Sequence, residues 1–61
     1  MTEIEQLKAF RKRHGLTQQT ASQLLGIKYH TWRGYESGRT IPHIVFFAMA
    51  MYEENKQLKG N

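Results

Sequence analysis

The 61-residue sequence predicts an all-α domain, a compact fold of four helices, or of five if the C-terminal tail adds one. Three observations lead there. Apolar residues recur at spacings of three and four. Glycines at 15, 26 and 38 divide the chain into helix-length pieces. Thr2, Thr17 and Pro42 stand where helices would open. A single domain over residues 1–61 of this size buries only about 60% of its unfolded surface, so its stability is marginal unless something adds to it. The chain has no cysteine, which excludes a disulfide framework and a thiolate zinc site. An oligomer is therefore the expected extra source of stability. With no bilayer-length apolar run and no secretory signal pattern, the expected location is the cytoplasm, away from any membrane.

The first helix opens on Thr2-Glu3-Ile4-Glu5, whose T-x-x-E spacing is that of a capping box with both acids in the first turn. Ile4, Leu7 and Phe10 form its inward stripe, Lys8, Lys12 and Arg13 lie outside, and Gly15 ends it near residue 14. The second helix runs from about Gln18 to Leu25, with Thr17 as N-cap and Ala21, Leu24 and Leu25 as its apolar face. Gly26 stops it, because only glycine takes the left-handed conformation past a helix end without steric cost. Ile27 then packs back on the second helix. A third helix runs from Lys28 or Tyr29 to Ser37, where Gly38 stops it.

That third helix separates by period. Thr31, Trp32, Tyr35 and Glu36 share one face; Tyr29, His30, Arg33, Gly34 and Ser37 share the other. The first set suits a core, and the second is polar, aromatic and basic. Two short helices joined at a glycine, the second with such an outer face, describe a helix-turn-helix over residues 17–37. A plain helical hairpin with a solvated face is the alternative.

LTQQTASQLLGI followed by HTWRGYESGRTIP resembles the Cro/C1-type (XRE-like, lambda-repressor-like) helix-turn-helix regulators of phage and bacteria. The likeness covers roughly Leu7 to Tyr52 and rests on Leu16-Thr17-Gln18, Leu25-Gly26-Ile27, Tyr35-Glu36, Gly38 and Pro42 together. The TWxxYExG form, with Trp32 in place of an aliphatic residue, resembles a subgroup of small phage-type regulators. Three positions depart from the pattern: Thr20 stands where a Glu would complete a capping box, Ala21-Ser22 replace Leu-Ala, and Lys28 replaces a Ser or Thr N-cap. Weakened local helix stability is expected there.

The resemblance implies double-stranded DNA as partner. It assigns base contacts to Tyr29, His30, Arg33 and, less often, Gly34. An arginine such as Arg33 can place two donors on guanine O6 and N7. Gly34 costs roughly 1 kcal/mol relative to Ala inside a helix, which suggests either close approach to DNA or tight packing. The DNA backbone falls to Gln18, Arg39 and Thr40, with Lys28 and Ser37 at the ends of the reading helix. Gln18 is also expected to brace that helix, against the alternative of a solvated first-turn residue. Arg11 is expected to pair with Glu36 as a structural ion pair joining the first helix to the third.

Charge agrees with an anionic partner. The formal net charge is +4 and the pI about 9.8. Lys8, Arg11, Lys12, Arg13, Lys28, Arg33 and Arg39 fill the middle of the chain, where Glu36 is the one acid. The fourth helix is expected over about 42–57, with Pro42 at its start. Val45, Ala48, Met49 and Tyr52 would face the core, and Phe46, Phe47 and Ala50 the opposite side. Two adjacent phenylalanines there suggest a homodimer interface on a palindromic operator. Glu53 to Asn61 is polar and expected to fray.

Catalysis is not expected. His14, His30 and His43 share no face, no glycine-rich phosphate loop or cysteine nucleophile occurs, and the histidines are too few for zinc. No cofactor, metal or small-molecule substrate is implied. The readings that remain are a small phage or prophage repressor with autoregulation, a related anti-CRISPR-associated regulator, and an antitoxin-like protein–protein module using the hydrophobic fourth helix.

Overall fold

A computed structural model of the chain describes residues 2–59, with side chains described as far as Asn55. Four helices follow one another: α1 (Glu3–His14), α2 (Gln18–Leu24), α3 (Tyr29–Glu36) and α4 (His43–Lys59). No strand occurs among the described residues, so the all-α, four-helix expectation holds. Where a fraying tail or a fifth helix is expected from Glu53 onward, α4 instead continues unbroken to Lys59, because nothing in the stretch breaks a helix; residues 60 and 61 lie outside the described residues.

The first two helices begin at reciprocal side-chain caps, and the third does not. Thr2 caps α1 reciprocally: Glu5 N–H donates to Thr2 Oγ1 at 3.1 Å and Thr2 N–H to Glu5 Oε1 at 2.9 Å, satisfying two otherwise orphaned donors. At α2 the expected weak cap is corrected. Thr20 closes the box with its own hydroxyl, which accepts from Thr17 N–H at 2.8 Å while Thr17 Oγ1 accepts from Thr20 N–H at 3.1 Å. Lys28 provides no side-chain cap to α3, because an ammonium has no acceptor.

The turn between α2 and α3 closes by two backbone bonds around Gly26, whose φ is +72°. Ile27 N–H reaches Ser22 O at 2.8 Å and Gly26 N–H reaches Gln23 O at 3.3 Å, the Schellman pattern. Ile27 thereby folds back onto the core. The end of α3 repeats the pattern, with Arg39 N–H on Gly34 O at 3.0 Å and Gly38 N–H on Tyr35 O at 3.3 Å. There the residue that folds back is an arginine.

One cluster holds the helices together: Leu7 and Phe10 from α1, Ala21 from α2, Trp32 from α3, Ile41, and Val45 and Met49 from α4. Leu24, expected in this core, is exposed. The buried side of α2 is centred among Ala21, Ser22 and Leu25, about 100° around the helix from Leu24. Ser22 takes the inward place instead, and its hydroxyl is satisfied by Gln19 O at 2.7 Å.

α4 is tied to α1 at its outer end. Glu53 Oε2 accepts from Arg13 Nη2 at 2.8 Å and from His14 Nε2 at 2.8 Å. The His14 ring is flanked by Phe10 at 4.9 Å and Tyr52 at 5.2 Å between centroids. The hydrogen bond from His14, with help from Arg13, holds the Glu53 carboxyl below the usual carboxylate range.

Candidate nucleic-acid interface

The interface is built from the inside outward, beginning with Glu36. Its side chain, only 3% exposed, is the last residue of α3 and collects donors from three helices. Arg11 Nε and Nη2 donate from α1 at 2.7 and 3.0 Å, Gln18 Nε2 from α2 at 3.1 Å, and Trp32 Nε1 from one turn back on α3 at 2.5 Å. Burial pushes the Glu36 carboxyl up, yet the bonds from Arg11, Gln18 and Trp32 and the Arg11 charge outweigh it and hold the carboxyl below its ordinary range. Arg11 also reaches Leu16 O at 3.4 Å. Gln18 is half-buried and braces α3, so the solvated reading of this residue is corrected.

The lowered carboxyls of Glu36 and Glu53, together with that of Glu5, which the Thr2 cap lowers, give stability a direction with pH. A carboxyl whose folded pKa lies below its unfolded value contributes stability above the unfolded value and loses it as pH falls through the folded one. The melting temperature should therefore be level at neutral pH and fall steadily on acidification below about pH 4.5. Glu53→Gln should flatten part of that fall. A parent protein whose melting temperature is the same at about pH 6 and pH 3 would contradict these hydrogen-bonded carboxylates.

With its carboxylate turned inward, α3 presents an outer face free of negative charge. Tyr29, His30, Arg33 and Ser37 are exposed there, flanked by exposed Lys28 before the helix and Arg39 and Thr40 after it. Arg33 Cζ lies over the Tyr29 ring, 5.6 Å from its centroid, so the ring supports the guanidinium from one turn back. Gly34 is half-buried because the Arg39 side chain covers it. Lys8, Lys12, Lys28, Arg33 and Arg39 take no part in an ion pair among the described residues, whereas Arg11 and Arg13 do.

The apolar side of α4 differs from the sequence expectation in one respect. Phe46 is half-buried and packs against the core, while Phe47 is 65% exposed and Ala50 is exposed. Ile44 at 69% and Met51 at 61% join Phe47 in a row at i, i+3 and i+7. Sequence reasoning missed these two because the whole run from Ile44 to Tyr52 is apolar and its rotation is fixed only by packing. It missed Trp32 as a donor to Glu36 too, although their i, i+4 spacing was available as a signal.

In class, then, this is a small all-helical domain that carries a basic, acid-free helix face on a glycine-closed two-helix turn. Residues 5–49, more than half of the chain, match the family described as helix-turn-helix domain, and the chain belongs to that family. Membership supports DNA binding and a regulator's role. No curated protein and no solved structure matches the chain. No described helix is long and apolar enough to cross a membrane, and no group of metal-ligating side chains occurs among the described residues.

Proposed function

We propose that the chain is a sequence-specific double-stranded DNA-binding regulator of transcription, a small non-enzymatic repressor of phage or prophage type that represses by occupying a promoter. The observation that carries this is the placement of Glu36. The one acid of α3 is sealed inside by Arg11, Gln18 and Trp32, which leaves Tyr29, His30 and Arg33 on a face that only an anionic partner complements. In this reading Tyr29, His30 and Arg33 meet base edges in the major groove. Gln18, Lys28, Ser37, Arg39 and Thr40 meet the backbone; the amide of Gln18 keeps a second N–H for that purpose beside its bond to Glu36. The exposed row Ile44, Phe47 and Met51, with Ala50 beside it and Phe46 at its edge, supports a homodimer on a palindromic site.

Selection of duplexes from a random-sequence pool tests the reading, since a regulator of this kind enriches a defined site. On the selected site Arg33→Ala should cost on the order of 1–3 kcal/mol and relax preference at one base pair. Arg39→Ala should weaken binding to all sequences alike and lower the salt slope by about 0.9. Equal losses for Arg33→Ala on selected and scrambled duplexes would remove Arg33 from the base-reading set.

A further inference from the structure

Gly34 sits inside the last turn of an eight-residue helix, where a glycine is less favourable than alanine by up to about 1 kcal/mol, and its backbone is not in the left-handed region that would call for one. The reason for a glycine therefore lies in what approaches it. A Cβ at position 34 would stand 3.1 Å from Arg39 Cδ, 3.3 Å from Nε and 3.6 Å from Cζ, the first two closer than ordinary van der Waals contact allows.

The approach follows from the way α3 ends. In the Schellman pattern the residue two past the cap returns over the third residue from the helix end. Here Arg39 N–H bonds Gly34 O at 3.0 Å and the side chain comes back with it. At the end of α2 the same pattern returns Ile27 over Ser22 and the apolar side chain goes to the core. At α3 it lays the aliphatic part and the guanidinium of an exposed arginine along the helix, one residue beyond Arg33.

We infer that Gly34 is a positioning residue for Arg39: the missing side chain is the seat that holds the Arg39 guanidinium against the reading helix, ready to meet the DNA backbone. The inference rests on the DNA-binding reading and assigns Gly34 to Arg39 rather than to a base. A long, unrestrained arginine must be ordered on binding; one already seated has little left to lose.

Gly34→Ala makes opposite demands on fold and function, which makes it a discriminating test. The helix gains propensity, and the Arg39 stem, being exposed, can shift aside. The melting temperature should be unchanged or higher, by up to about 4–8 °C. Affinity for a duplex selected by the parent protein should fall about 3- to 10-fold, the scale of ordering one long side chain. In an Arg39→Ala background the same change should cost less than about 2-fold. In the free protein, cross-peaks between Gly34 Hα and Arg39 Hδ should be present and should vanish in Gly34→Ala with the Hδ signals displaced. Equal affinity losses in both backgrounds, or a lower melting temperature in Gly34→Ala, would overturn the inference. A parent that selects no duplex would overturn the DNA-binding reading and with it the seat's role on DNA, and missing cross-peaks in the free parent would overturn the seat itself.

Discussion

Replacing Glu36 by alanine should leave most of the protein unfolded at room temperature or close to it. Removing one partner of a buried ion pair costs roughly 3–5 kcal/mol. At about 0.05–0.15 kcal/mol per residue, a domain of this length has only about 3–9 kcal/mol in total. Three kinds of donor lose their acceptor at once: the Arg11 guanidinium, the Gln18 amide and the fully buried Trp32 indole. Gln18 can turn to water, and Arg11 in part, but Trp32 has no exposed surface through which to find it. The double change Arg11→Met, Glu36→Leu should therefore recover only part of the loss, and adding Trp32→Phe should recover more, because the stranded N–H goes with it. Thermal and urea melts decide this. A Glu36→Ala protein that melts like the parent would show that the carboxylate is not holding the three helices.

Phe47→Glu should convert the proposed dimer into a monomer with little effect on the fold. The side chain is 65% exposed, so the substitution should change monomer stability by no more than about 0.5 kcal/mol. At a two-fold interface, however, it places two carboxylates where Ile44, Phe47 and Met51 of the two copies would meet. Two reading helices about 34 Å apart bind one palindrome together, and separating them should weaken operator binding by about 10²-fold or more. Phe46→Glu is the poorer probe because Phe46 packs against the core and its loss would disturb the fold as well. Sedimentation at micromolar concentration checks the prediction. A parent that is monomeric both free and on DNA, with Phe47→Glu binding equally well, would remove the dimer.

Legibility in the sequence followed the range of the interaction. Glycine stops, helix count and the first cap are local and could be read directly; Thr2 with Glu5, Gly26 and Gly38 required only neighbours within a turn, whereas the hydroxyl of Thr20 closing the second box was misjudged. The two faces of α3 were also legible, because Trp32 and Arg33 differ so much in character that periodicity alone separates them. Arg11 and Glu36 were named as partners, and Gln18 as a brace for α3, from resemblance; that Gln18 braces it through Glu36 depends on how three helices converge, whereas the Trp32 bond lies within one turn of α3. The Arg13 and His14 bonds to Glu53 join residues 40 and 39 apart, and nothing in a charged helix end announces such a partner. The row on α4 was misplaced because, where most positions are apolar, period gives no phase and the packed core supplies it; Leu24 was misplaced for the opposite reason, since α2 has few apolar residues and a serine, Ser22, takes the inward place.

Separating the fold's ties from the exposed face has an evolutionary consequence. The side chains that fasten α3 to its neighbours are Trp32 and Glu36 on its inner side, whereas Tyr29, His30 and Arg33 bond no other helix among the described residues. Substitutions at 29, 30 and 33 can thus be tried one after another without passing through unfolded intermediates. If these three positions read DNA as proposed, a lineage carrying this domain is free to exchange one target for another while inheriting the same scaffold, and descendants can diverge in the DNA they address long before they diverge in shape.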